Sequence, residues 1–233
     1  MDDPALDRAT THWMEDTMTG LVRAGTLPAS AALIALGSWV GSAQGQDAGI
    51  EAVVIHPPVD VRFQCSEHAL GTEDHVPDAL GSDCVVVRRE GGPNGDLNSP
   101  YSGDGTRNED WHSWREPLLA PCDGMVLMVS LNPESTVPGV FGSGRSSALL
   151  FRCGLGDDPD VVQVAYVHVR EVAVGEGDTV RAGQPVARIG NNGSSYNPHV
   201  HIGAFRGDLF SDDAVPLQIR IDLAAMGRVS GQP

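Results

Sequence analysis

From residue 47 onward the chain is a succession of short apolar and β-branched runs, at 50–56, 84–89, 125–131, 148–152, 161–170, 185–189 and 200–205. Each ends in a cluster of Gly, Pro, Asn or Asp; Gly91-Gly92-Pro93-Asn94-Gly95 and Gly190-Asn191-Asn192-Gly193 are two of them. Breaks this frequent, with no helical pattern between them, require strands that pair with one another. The spacing predicts a mainly-β domain over 47–210, an antiparallel β-sandwich or open barrel. Residues 90–116 interrupt it with a long polar stretch, expected to be a mobile loop bordering the groove. Residues 211–233 form a C-terminal tail of mixed signals with no assigned element.

Residues 1–46 read differently. After an acidic start, Met18 opens a short basic region that leads into an apolar run at 27–40 and the small residues Gly41-Ser42-Ala43. That is the layout of a secretory signal. The run is short for a membrane span, so the expectation is an exported chain with no stable membrane insertion in its mature form. The alternative for the same residues is a short N-terminal helical extension packed on the domain. Cys65, Cys84, Cys122 and Cys153 are too widely spaced for a CxxC metal module. They fit two disulfides in an oxidising compartment, in any of three pairings, or buried free thiols.

Charge restricts the partners. Fifteen Lys+Arg stand against 31 Asp+Glu, a net charge of −16, and every basic residue is arginine. Such a surface repels phosphate backbones and anionic head groups, which argues against nucleic acid as a partner. The missing lysine excludes a second class. Gly175-Glu176-Gly177-Asp178 and Ala182-Gly183-Gln184 are tight turns between short strands, a wording shared with biotinyl and lipoyl carrier domains. A carrier attaches its cofactor to a lysine, and this chain has none. The oligomeric state is not written in the sequence.

The chemistry concentrates near the C-terminal end of the β region. In a strand alternate side chains share a face, so Pro198-His199-Val200-His201-Ile202 puts both imidazoles on one side. Two neutral imidazoles that close suit a transition metal, or a metal ligand beside a proton-transfer base. Upstream, Tyr166, His168 and Arg170 alternate with Ala165, Val167 and Val169, which also projects His168 from one sheet face.

Taken in order, these segments resemble the lysostaphin-type zinc endopeptidases that cut peptide cross-links of bacterial cell walls. Tyr166-Val167-His168-Val169 is similar to the family's tyrosine-x-histidine-leucine segment. The run from Gly190 to Ile202 is similar to its glycine-rich turn and His-Leu-His-Phe strand. Pro117 to Val126, containing Ala120-Pro121-Cys122-Asp123-Gly124, is similar to its Ala-Pro-Ala-Asp-Gly hairpin. The resemblance implies one Zn²⁺ per chain, held by a histidine and an aspartate of an early motif and by His201, the second histidine of the His-x-His pair. It also implies that His168 and His199 flank the open position as catalytic residues. For the early pair it points to His75 and Asp83, the aspartate standing just before an apolar strand. His68 in place of His75, Asp78 in place of Asp83, and the pair His112 and Glu116 remain as alternatives.

What the resemblance implies for function is a zinc-dependent endopeptidase acting on peptidoglycan or another short peptide. The alternative is a non-catalytic relative that binds wall peptide or a partner enzyme. A zinc-stabilised structural domain would need a fourth protein ligand, and the sequence offers none.

Overall fold

The computed structural model describes residues 49–71, 78–92, 95–154, 161–207, 209 and 213–229, all within the unit Asp47–Pro233. The helical extension and signal-like segment expected at 1–46 lie outside the described residues.

The chain runs through β1 (Ala52–Ile55), β2 (Phe63–Glu67), β3 (Ser82–Val86), the hairpin β4 (Arg88–Gly92) and β5 (Gly95–Ser99), and β6 (Pro117–Leu119). It continues with β7 (Gly124–Ser130), β8 (Ala148–Cys153), β9 (Val162–Val167), β10 (Val169–Arg170) and β11 (Thr179–Val180). Then follow β12 (Pro185–Ile189), β13 (Val200–Arg206), β14 (Val215–Pro216), β15 (Gln218–Ile221) and the helix α1 (Leu223–Val229). The main sheet has the order β11-β7-β8-β9-β13-β3-β2, with β14 beside β13. A second sheet has the order β10-β12-β6. The fold is mainly β, as the punctuation of the sequence requires.

The two sheets share one core. Val126, Phe151, Val164, Tyr166, Val200 and Ile202 from the main sheet pack in the same cluster as Leu118, Val169, Val186 and Ile189 from the second. This is the packing of a sandwich, in which the inner faces of two sheets exclude water together. The chain passes from one sheet to the other between β9 and β10, and the residue at that corner is His168. Its φ is 63°, a left-handed conformation that ends the strand alternation and is uncommon for a side-chain-bearing residue.

Two disulfides hold the edges. Cys65 and Cys84 are direct partners across β2 and β3 and are bonded to each other. Cys122, just before β7, is bonded to Cys153 at the end of β8. Among the described residues no cysteine is free.

Residues 90–116 are not the loop expected from their composition. They hold part of the β4–β5 hairpin and a packed knot around Trp111. Its ring lies 5.0 Å from that of Tyr101, and its Nε1 donates to the Gly105 carbonyl at 2.9 Å. Trp114 is covered by the Arg170 guanidinium 4.2 Å from its ring centre. The exposed Tyr101 and the half-buried Trp111 and Trp114 supply ring contacts that a Gly/Asn/Asp-rich loop otherwise lacks. In the tail, Gln218–Ile221 pairs in parallel with β1.

Candidate active site

The site is built by a strand ladder. His201 on β13 is the direct partner of Asp83 on β3 and of Val167 on β9. Residues opposite each other in an antiparallel pair share a face, so the Asp83 carboxylate and the His201 ring emerge together. Their Oδ1 and Nδ1 lie 2.8 Å apart. β2 then runs antiparallel to β3, and just beyond its end His68 comes back over the same face. The His68 backbone N–H donates to the Gly81 carbonyl at 2.8 Å. Its Nδ1 lies 3.0 Å from the Asp78 carbonyl, which accepts only, so Nδ1 carries the hydrogen. That leaves His68 Nε2 with its lone pair, 3.3 Å from Asp83 Oδ2.

His199 and His168 stand beside this trio, their ring centres 4.6 Å apart. The same logic orients both: His199 Nδ1 lies 2.8 Å from the Asn197 carbonyl, and His168 Nδ1 lies 2.7 Å from the Asn192 carbonyl. In each ring Nε2 is the nitrogen that no backbone carbonyl engages, and that of His199 is 3.5 Å from Asp83 Oδ1. The second nitrogen of His201, Nε2, lies 3.0 Å from Asp78 Oδ1. Gly81 explains how that ring fits, because a Cβ there would stand 2.8 Å from His201 Cε1.

The electrostatics sort the rings into two kinds. Burial and the neighbouring His199 push the His168 pKa down to about 3, so it is neutral at working pH. Burial also opposes charge on His201, but the carboxylates of Asp78 and Asp83 outweigh it and raise the pKa to about 9. Burial disfavours ionised Asp83 as well, yet the imidazoles of His199 and His201 prevail and hold its carboxyl far below the usual range. Asp83 is therefore an anion among histidines, and the nearest of these draws in a proton where no other cation is present.

These side chains line a groove of about 850 Å³. Its far wall comes from 136–146 and 194–197, where Phe141, Ser146 and Tyr196 face the opening. The two wall segments are tied by backbone hydrogen bonds from Gly139 to Tyr196 at 3.1 Å and from Gly142 to Ser195 at 2.8 Å.

Of the residues singled out from the sequence, Asp83, His168, His199 and His201 meet in this groove. His75 lies outside the described residues, and the histidine beside Asp83 and His201 is His68, the alternative to it. Asp78 approaches His201 from the side away from Asp83. His112 is elsewhere, its Nε2 3.8 Å from Glu90 Oε1, and Glu116 lines a separate depression with Arg62 and Arg88. Among the described residues of 90–116, none lines the groove. One further pair has the His-x-x-x-Asp spacing, His56 and Asp60, but it too is away from the groove. The His56 Nδ1 is 2.9 Å from the Pro57 carbonyl and its ring lies against Gly183. Phe141, Tyr196 and Asn192 escape a search for metal ligands because neither their types nor their spacing mark them.

Two packed sheets, with a His/Asp/His donor cluster at the mouth of a polar groove, define a β-sandwich protein with a metal-site geometry. Residues 113–212, somewhat less than half of the chain, match Peptidase family M23, so this segment carries the sequence pattern of the lysostaphin-type peptidases. The matched segment contains His168, His199 and His201; His68, Asp78 and Asp83 precede it. The catalytic domain of the antimicrobial peptidase lysostaphin from Staphylococcus simulans is similar at 16% identity, over 66% of this chain and 86% of that one, with a TM-score of 0.39. Whole lysostaphin is similar at 15% identity over 78% of this chain and 58% of its own length, with a TM-score of 0.40. The catalytic domain of the prophage-encoded M23 protein EnpA from Enterococcus faecalis, in a point-mutant form, is similar at 22% identity over 54% and 85%, with a TM-score of 0.29. No curated protein matches this chain.

Proposed function

We propose that this chain is a zinc-dependent endopeptidase that hydrolyses peptide cross-links of peptidoglycan, with His68, Asp83 and His201 as the metal ligands. The observation that carries the reading is the convergence of three donor atoms, one from each of these residues, all within 4.8 Å of one another. Ligands about 2.0–2.2 Å from a tetrahedral zinc stand roughly 3.3–3.6 Å apart. The 3.3 Å between His68 Nε2 and Asp83 Oδ2 fits that spacing. The 2.8 Å contact between His201 Nδ1 and Asp83 is the hydrogen bond that a metal would replace. Two imidazoles and one carboxylate are also a normal donor set for catalytic zinc.

When bound there, zinc supplies an acidified water and polarises the scissile carbonyl. The protein's own share is placement and proton movement. Asp83 offers a fixed anionic oxygen, and His68 and His201 offer Nε2 and Nδ1 on rings whose other nitrogens Asp78 engages. His199 and His168 present Nε2 lone pairs beside the ligand cluster, where one accepts a proton and the other, once protonated, donates to the carbonyl oxygen or leaving amine. The groove is open at its rim, so an extended peptide can lie between Phe141 and Tyr196. Export to an oxidising compartment belongs to the same proposal and is supported by the two disulfides.

Purified chain loaded with one equivalent of zinc is expected to release new amino termini from isolated peptidoglycan, and a chelator is expected to abolish this. Zinc binding without any release from wall material or cross-bridge peptides would favour the non-catalytic relative.

A further inference from the structure

We propose that Asn192 is a positioning residue for His168, fixing both the tautomer and the ring plane of that histidine through a grip on the residue pair 168–169. The proposal deepens the peptidase reading and rests on it only for the role of His168.

The starting point is the corner between the sheets. His168 sits at φ 63°, and a side-chain-bearing residue keeps such a conformation only where its surroundings dictate it. One neighbour does most of the dictating. The Asn192 backbone carbonyl accepts from His168 Nδ1 at 2.7 Å, and its side-chain Nδ2 donates to the Val169 carbonyl at 2.9 Å. The same residue therefore holds the imidazole from one direction and the following peptide group from another. Its Oδ1 accepts from the Ser147 N–H at 2.7 Å, which ties the grip to the chain entering β8. Asn192 is 2% exposed, and every one of these contacts lies inside the protein.

The turn cannot slide away from this position. At the next residue, Gly193, a Cβ would stand 2.2 Å from Ser146 Oγ and 2.6 Å from the Ser146 backbone. The Gly190 N–H also donates to the His168 carbonyl at 2.9 Å. The Asn191–Asn192 turn and the His168 corner are thus one rigid unit.

The chemical consequence concerns which nitrogen faces the groove. A neutral imidazole has one N–H and one lone pair, and exchanging them exchanges a proton acceptor for a donor. With Nδ1–H engaged by the Asn192 carbonyl, Nε2 keeps its lone pair. Without the Val169 and Ser147 anchors that carbonyl is free to turn, and the preference for one tautomer goes with it.

Full-length chain labelled with ¹⁵N-histidine, read by long-range proton–nitrogen correlation spectra, tests this with His168→Asn for assignment. Wild-type His168 is expected as the Nδ1–H tautomer alone. Asn192→Asp keeps the shape and the Ser147 acceptor but removes the donor to Val169; Asn192→Ala removes both. Each is expected to give a mixture of tautomers. Each is also expected to lower kcat about 10- to 100-fold, with KM and bound zinc unchanged. A wild-type Nε2–H tautomer overturns the proposal, as does a wild-type tautomer pattern in a folded variant. If neither variant folds, the wild-type spectrum decides. The spectra need no turnover, so a wild-type chain that cuts no wall peptide would refute the peptidase reading while leaving this one to be judged.

Discussion

His201 and Asp83 are direct partners across the β13–β3 ladder, and their side chains meet with Nδ1 2.8 Å from Oδ1. Sheet pairing fixes the two backbones relative to each other, so the pair is set by register before any metal arrives. His68 differs in kind. It follows the edge strand β2, which is held by β3 alone among the strands of the main sheet, and by the Cys65–Cys84 bond.

The division of roles gives the first prediction. Alanine at His68, Asp83 or His201 should lower zinc content well below one per chain. Alanine at His168 or His199 should leave zinc bound while hydrolysis falls by about 10²–10⁴-fold. His75→Ala should keep both. Metal analysis of the six purified variants checks this, and equal zinc loss in the five groove variants would refute the division.

Gly81 carries the second. Its missing Cβ is what lets the His201 ring lie where it does, since an added methyl would be 2.8 Å from Cε1 and 3.0 Å from the Asp78 carbonyl. Gly81→Ala should weaken zinc binding without disturbing the distant Cys122–Cys153 end of the sheet. A zinc titration showing unchanged affinity would mean that the ring has room to move.

The third concerns the edge disulfide. Cys65–Cys84 closes a segment with a sequence separation of 19 that contains His68 and ends next to Asp83. Replacing both cysteines by serine should cost about 3 kcal/mol in urea unfolding. It should also weaken zinc binding, because His68 loses the staple at its strand. The same double replacement at Cys122 and Cys153 should cost stability and leave zinc affinity in place.

Much of this architecture is legible in the sequence, and the exceptions have physical causes. Strands β7, β8, β9, β12 and β13 follow dense β-branched and apolar runs, so their positions are plain. His199 and His201 are legible as a pair because a two-residue period needs only local geometry. The corner at His168 is not: Val167-His168-Val169 reads as continuous alternation, and only the second sheet reveals the turn. β2 is hidden because Phe63-Gln64-Cys65-Ser66-Glu67 is a mostly exposed edge with one apolar anchor. Without β2, His68 has no visible support, and the resemblance points first to His75, which lies outside the described residues. The packing of 90–116 is missed because Tyr101, Trp111 and Trp114 are few among many Gly, Asn and Asp residues.

His168 supplies a prediction on pH. Burial, with help from His199, lowers its pKa in the fold to about 3, against about 6.5 in the unfolded chain. Its contribution is therefore intact above about pH 6.5. As pH falls from there toward about 3, the unfolded chain takes up a proton that the native one refuses, and stability drops by up to about 1.4 kcal/mol per pH unit. His168→Asn, a residue that tolerates the left-handed backbone, should lack this slope. Urea unfolding of the metal-free proteins at pH 7 and about pH 5 should show a loss roughly 2 kcal/mol larger in the wild type. Equal losses would place His168 in contact with water.

The central claim is that His68, Asp83 and His201 hold a catalytic zinc with one position left open. A crystal structure of the zinc-loaded chain, phased or mapped at the zinc absorption edge, tests it most directly. The expected result is one anomalous peak about 2.0–2.2 Å from His68 Nε2, an Asp83 carboxylate oxygen and His201 Nδ1, with water as the fourth ligand. His168 and His199 should lie beyond bonding distance. A peak ligated by His75 in place of His68, a fourth protein ligand closing the site, or a peak away from Asp83 and His201 would contradict it.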